Sequence, residues 1–430
     1  MLHRIRLNTG SIKWIIGGAL VAMQFAIAGE ITLAQDTPRV IAKNVSKVPT
    51  FNIEQLREMG RSNSSSIKAA QLGIEGVAEK QDAINKMRFL SIISKDLPVR
   101  KQQAQSGMTA ATANYSQSEL DLNFSIAYTY VSIIYANQQL DVAERGINDL
   151  NTLGDIAKEI VKTGSRNDVS KKQIDQINVY LNLFNGKKEE AVQGVPRAKA
   201  ALREAIGITD INWDLQTADK VLALADVQVN RESVIAEAQT RRGEILQAQS
   251  AVDATCLEIK AQDKIRAFAG KTFASGSDIH ANILPIASLD ENYRPGAIAP
   301  EMPGNLYGSK KSRVNQAKIL HERAQAVADK AKSLIVLEAE NTYLRWIENR
   351  NRATSYLKSA EEAEKLASSL KERFDPRGGK ITLDEVITTG IQANTIRIAA
   401  NEAIYKATLA LIALERVSGG GFIAPSITKK

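Results

Sequence analysis

The chain has 430 residues, 44% of them apolar, 5% aromatic and 24% charged, with 10 prolines and a formal net charge of +8. That composition excludes a disordered chain and describes a helix-rich folded protein with length for more than one domain. The modest basic surplus comes without an RNP, zinc-finger or basic-region pattern, which argues for a solvated mixed-charge surface and against nucleic acid as a partner. The single cysteine, Cys256, excludes an intramolecular disulfide.

Residues 1–28 read as a secretory signal. His3, Arg4, Arg6 and Lys13 precede an apolar run from Trp14 to Ile27, which closes near the small-residue pattern Ala26, Ile27, Ala28. The run is shorter than the ~20 residues of a membrane span; an uncleaved anchor is the alternative reading. No cysteine stands near the cleavage region to accept a lipid, and removal of the segment leaves 8 − 3 = +5 charges. Residues 29–50 then form a linker.

A first repeat is expected over 51–220. Ile67, Ala70, Gln71 and Ile74 fall at helical spacing in a pattern that reaches Arg88 and ends near Phe89. The segment Phe89–Ser106, with Ile92, Ile93, Leu97, Pro98 and Val99, has room for short strands. A long helix is predicted from Thr109 to Val161, a turn through Thr163, Gly164, Ser165 and Arg166, and a return helix capped by Asn167 or Asp168. Ile174, Ile177, Leu181 and Phe184 mark its apolar face, and Gly186, Gly194 and Pro196 predict a break before a last piece, Arg197–Ile206.

The chain is then written again over 221–420, with 421–430 as a tail. At a constant offset of 178, Ile245, Ala248, Gln249, Val252 and Arg266 repeat the first pattern. Ala269–Gly308 forms a longer inter-helix segment with Phe273, Ile279, Ile283, Ile286, Tyr293 and Tyr307. Neither inter-helix segment carries the clean ten-residue alternation of a lipid-facing barrel strand. From Ser309 to Asp375 there is no glycine or proline over 67 residues. A helix of that length runs ~100 Å at 1.5 Å per residue, far beyond what a globular core uses, so it has a distance to span. Val327, Leu334 and Asn341 recur at seven with Ala331 and Glu338 between them. Leu357, Ala360, Ala363, Ala367, Leu370 and Phe374 continue an Ala-rich, coiled-coil-like stripe. The rod turns through Asp375, Pro376, Arg377, Gly378 and Gly379. Thr382 or Asp384 caps a return helix that runs to Val417 and stops at Gly419, Gly420 and Gly421.

No catalytic constellation is present. His280 and His321 stand at no ligand spacing and have no cysteine partners. There is no Walker loop and no G-x-S-x-G, and the acidic pairs Glu189, Glu190 and Glu361, Glu362 lie on helical faces. The expectation is a protein that is not an enzyme and holds no metal and no cofactor.

Three groups of residues carry a family resemblance: Arg242, Gly243, Glu244, Ile245 and Ala248 with their weaker counterpart Asn63–Ala70; Arg373, Phe374, Gly378, Gly379, Leu383, Asp384 and Val386, echoed by Gly164, Asp168 and Val169; and the closing Ala413–Gly420. Their order, twice over, resembles the TolC-like outer-membrane efflux protein family across nearly all the mature chain. The resemblance implies a mainly α fold: tandem-repeat, long antiparallel helical hairpins forming a trimeric α-barrel, with short β-hairpins for an outer-membrane barrel. It implies a passive outer-membrane channel of tripartite efflux or type I secretion, in contact with outer-membrane lipid. The implied partners are a periplasmic adaptor (membrane fusion) protein and an inner-membrane transporter. The adaptor would dock at the hairpin tips, here Gly164, Ser165, Arg166, Asp168, Arg377, Gly378, Gly379 and Asp384. The first inter-helix segment, at about 18 residues, is barely enough for two membrane strands of about 9–11 residues each. A periplasmic coiled-coil scaffold without a pore is therefore the alternative.

Overall fold

The computed structural model describes residues 48–87, 94–273 and 302–425. The predicted signal and nearly all of the predicted linker lie outside them, as do residues 88–93 and 274–301. Among the described residues, eight helices run in two matched series. α1 (Ile53–Asn63), α2 (Ser65–Lys86), α3 (Leu97–Thr163) and α4 (Lys171–Ala205) are followed by α5 (Arg231–Arg241), α6 (Gly243–Lys264), α7 (Lys310–Arg373) and α8 (Leu383–Val417). Their lengths pair as 11 and 11, 22 and 22, 67 and 64, and 35 and 35 residues. The joints pair too. Ser64, between α1 and α2, has φ −63° and ψ 125°, and Arg242, between α5 and α6, has φ −64° and ψ 131°.

The Gly- and Pro-free rod forms as one helix because nothing in it breaks the backbone ladder. Ser309 caps its start, its hydroxyl accepting from the Ser312 N–H at 3.2 Å. At 1.5 Å per residue, α3 and α7 are struts of about 100 and 96 Å. α6 packs between them along one half and α8 along the other, while α2 and α4 flank α3. The result is one layer, α2–α3–α6–α7 towards one end and α4–α3–α8–α7 towards the other.

Small residues let these helices approach closely. Ala317, Ala324 and Ala331, then Ala339, Trp346, Ala353 and Ala360, recur at seven along α7 and are buried. On α3, a Cβ at Gly146 would lie 2.9 Å from the Phe184 ring of α4.

Two short sheets complete the described chain. β1 (Thr50–Phe51) pairs in parallel with β2 (Gln216–Thr217), and β3 (Ala269–Lys271) pairs antiparallel with β4 (Asn305–Tyr307), Gly270 opposite Leu306. Below β3–β4 lies a buried polar network. Glu258 accepts from Arg100 (2.5 Å), Gln103 (2.9 Å) and Gln262 (2.7 Å), while Arg313 donates to the carbonyls of Gly308 (2.8 Å) and Ile265 (2.7 Å). No closed barrel lies among the described residues, and no helix among them is long and apolar enough to cross a membrane.

Three sequence expectations need correction. α3 begins at Leu97, not Thr109, so Leu97–Ser106 is helix and only ten residues, Met87–Asp96, separate α2 from α3. Pro98 sits in the first turn, where its missing N–H has no intrahelical partner to lose. α4 runs unbroken through Gly186, Gly194 and Pro196, packed along α3 so closely that a Cβ at Gly194 would lie 3.4 Å from Ala136 Cβ. Neither Asn167 nor Asp168 caps α4. That cap is Ser170.

Candidate functional site

The two turns, α3–α4 and α7–α8, lie side by side at one end of the layer. Each is built by the same devices. Gly164 closes α3 at φ 65°, its N–H donating to the Ile160 carbonyl at 2.9 Å; Gly378 stands at φ 144°. A Cβ at either position would meet nothing within 4 Å, so backbone conformation and not packing selects glycine there. Both return helices open with a capping box. The Gln173 side chain accepts from the Ser170 N–H at 2.9 Å; the Thr382 N–H donates to Glu385 at 2.8 Å and the Glu385 N–H to the Thr382 hydroxyl at 3.2 Å. Beneath them Ile160, Val169, Ile177, Leu383, Val386 and Ile387 form a common apolar core, edged by Phe374 and Ile381.

Arg166 joins the two turns. Its guanidinium grips Asp168 with two bonds of 2.8 Å and donates across to the carbonyls of Asp375 (2.7 Å) and Ile381 (2.9 Å). It also stands 5.1 Å from the centre of the Phe374 ring. Only 4% of its side chain is exposed, so the sequence expectation of Arg166 as a surface contact is overturned. Ser165 adds a second link, its hydroxyl donating to the Pro376 carbonyl at 3.2 Å. The Arg166 hydrogen bonds hold the Asp168 carboxyl below the usual carboxylate range, and Asp168 in turn raises Arg166.

Of the other predicted tip residues, Gly164, Ser165, Asp168, Arg377, Gly378 and Gly379 are exposed. Asp384 is half-buried in the first turn of α8, and its Oδ1 has no hydrogen-bond partner. The structure therefore gathers the predicted residues of both turns at one end, with Arg166 as their brace.

A second ionic cluster, at the α5–α6 joint, was legible only as a string of family-like residues. Arg242 is fully buried and donates to Glu244 (2.9 and 2.6 Å) and Glu338 (2.9 Å); Arg416 reaches Glu338 (3.4 Å) and Asp121 (2.5 Å). Burial alone would lower the Arg242 pKa, but Glu338 and Glu244 outweigh it and raise it. The cluster ties α6, α7, α8 and α3 together. Burial raises the Glu338 carboxyl, with Arg242 and Arg416 opposing it. Among the described residues no cluster of His, Cys, Asp and Glu could hold a metal ion.

Compared with solved structures, the fold matches outer-membrane channels. The outer-membrane channel OprN superposes with a TM-score of 0.68 over 86% of this chain and 90% of its own, at 15% identity. The chain has the TolC-like outer-membrane channel fold. The open-state MtrE channel of Neisseria gonorrhoeae matches with a TM-score of 0.66 over 86% of this chain and 89% of its own, at 14% identity. The CmeC channel of Campylobacter jejuni gives 0.64, over 87% of each chain, at 14% identity. No protein-family model and no curated protein matches the sequence. The TolC-like likeness is thus carried by helix lengths, joints and packing order more than by residue identity.

Proposed function

We propose that the protein is the outer-membrane channel component of a tripartite efflux or type I secretion system. It is a passive, homotrimeric conduit across the periplasm and not an enzyme. Energy comes from an inner-membrane transporter, and a periplasmic adaptor couples the two at the hairpin tips. The observation that carries this reading is a layer one strut long, built on two struts side by side and open at both edges. Leu72 on α2 and Val179 and Leu183 on α4 are at least half exposed along one edge, as are Ile319, Leu344 and Leu366 on α7 along the other. Large apolar side chains exposed on both end helices favour closure of one copy onto the next, and a ring closes where each edge meets its complement.

One observation favours a second reading, a periplasmic scaffold without a pore. The ten residues between α2 and α3 are fewer than the two strands of about 9–11 residues each that a membrane hairpin needs. Fractionation of cells separates the two. The channel reading expects trimers in the outer-membrane fraction and loss of export when the gene is deleted. Soluble periplasmic protein with export intact would favour the scaffold.

A further inference from the structure

The basic surplus of this chain is not spread over its surface. Residues 29–430 carry a net +5. The two tip segments, 162–172 and 371–380, hold eight basic and three acidic residues and so carry +5 by themselves. The rest of the mature length is balanced.

The three tip acids are largely spoken for. Asp168 is gripped by Arg166, and the Asp375 carboxylate accepts the Arg377 N–H at 2.8 Å. Glu372 is exposed. Just inside α8, Glu385 is held by the Thr382 cap and Asp384 is half-buried. Among the cations, Lys371 pairs with Asp149 at 2.7 Å on α3. Six remain exposed: Lys162, Lys171, Lys172, Arg373, Arg377 and Lys380. None of them has an ion pair among the described residues. One turn further in, Glu159 lies three residues before Lys162 on α3 and Asp175 four after Lys171 on α4, neither ion-paired with them; Asp155 is paired with Lys158.

We propose that the tip is a docking surface for an acidic segment of a partner protein, a loop or hairpin turn bearing several carboxylates. Two features suit it to that partner. The brace from Arg166 and Ser165 holds both turns as one platform, so the backbone positions that carry the cations are fixed relative to one another before binding. The open space above Gly164 and Gly378 admits a partner backbone close to the turn. A second copy is a poorer occupant. Docked tip to tip, a second copy would set its own six cations directly against these, and like charges in close approach repel. The inference rests on the tips being the partner-facing end in the reading above, and adds the sign of the partner's charge.

The test uses full-length protein in detergent and two synthetic helical hairpins, one with four glutamates in its turn and one with glutamines at the same places. The glutamate hairpin is expected to bind about tenfold tighter or more, and to weaken steeply between low and high salt. Lys162→Glu/Arg377→Glu/Lys380→Glu is expected to abolish that preference. The milder Lys162→Gln/Arg377→Gln/Lys380→Gln, which introduces no repulsion, is expected to reduce it. Equal binding of the two hairpins, or a preference unchanged in the glutamine variant, overturns the proposal. So does equally tight binding of heparin or of phosphatidylglycerol vesicles, which would make the tip a general polyanion surface. Protein that binds the glutamate hairpin but fails to conduct removes the channel reading and leaves this one; protein that conducts but shows no preference removes this one alone.

Discussion

Arg166, in the first hairpin turn, donates a 2.7 Å hydrogen bond to the carbonyl of Asp375 in the second, 209 residues later in the chain. With its bond to Ile381 and its grip on Asp168, it converts two independent turns into one tip. An arginine suits this place because its planar fork can satisfy a carboxylate and two carbonyls at once; a lysine offers a single point.

Arg166→Lys should therefore loosen the tip without unfolding the struts. Amide exchange in 375–382 is expected to speed up about tenfold or more, since an unpaired carbonyl and carboxylate remain, while far-ultraviolet dichroism stays unchanged. Exchange unaltered in that segment would mean the brace adds nothing.

Acid should undo the same brace. Asp168 has a depressed pKa in the folded chain because of Arg166, so its contribution is fully present above the ordinary Asp value. It is lost as pH falls through the depressed one, below about 4. Exchange at the tip is expected to stay constant from neutral pH to about 5 and to rise only in stronger acid, after correction for intrinsic rates. A rise centred near pH 6 to 7 would point to some other group.

The buried cluster at Arg242 predicts a larger effect from a smaller surface. Arg242→Ala strands Glu244 and Glu338 without their shared cation and is expected to destabilise by about 3–5 kcal/mol in chemical denaturation. The equivalent joint of the first repeat uses Ser64 and Ser66, whose hydroxyls lie 2.7 Å apart. The joint geometry thus does not require an ion. Removing Arg242, Glu244 and Glu338 together with apolar or hydroxyl replacements should cost far less than removing Arg242 alone.

Gly243 illustrates the other use of glycine. Its φ is not positive, yet a Cβ there would sit 2.5 Å from the Ala113 carbonyl of α3. Gly243→Ala gains under about 1 kcal/mol of helix propensity and is expected to lose about 1–3 kcal/mol to the clash, so the thermal midpoint should fall. A rise would show that α6 can retreat from α3 without loss.

How much was legible in the sequence follows from the range of the forces involved. The α7 rod, the return-helix cap at Thr382, one of the two residues the sequence offered, and the stop after Val417 are set by neighbours within four residues, and the sequence reading places them correctly. The equal lengths of α2 and α6 follow from the 178-residue offset. The errors arise where distant packing outweighs a local signal. Pro98 starts a helix inside a segment read as room for short strands, and Pro196 lies within an unbroken α4 packed on α3. Arg166 was misplaced for the same reason. Nothing local shows that its partners lie in the other repeat.

The central claim is that copies of this layer close into a tube that conducts. Single-channel recording of the purified full-length protein in a planar bilayer tests it most directly, alongside Val179→Glu/Leu344→Glu/Leu366→Glu, which places like charges on both exposed edges. The account expects discrete, non-rectified steps from trimeric wild-type protein, and their loss with conversion to monomers in the edge variant. Folded trimers that insert into the bilayer and pass no current would contradict it.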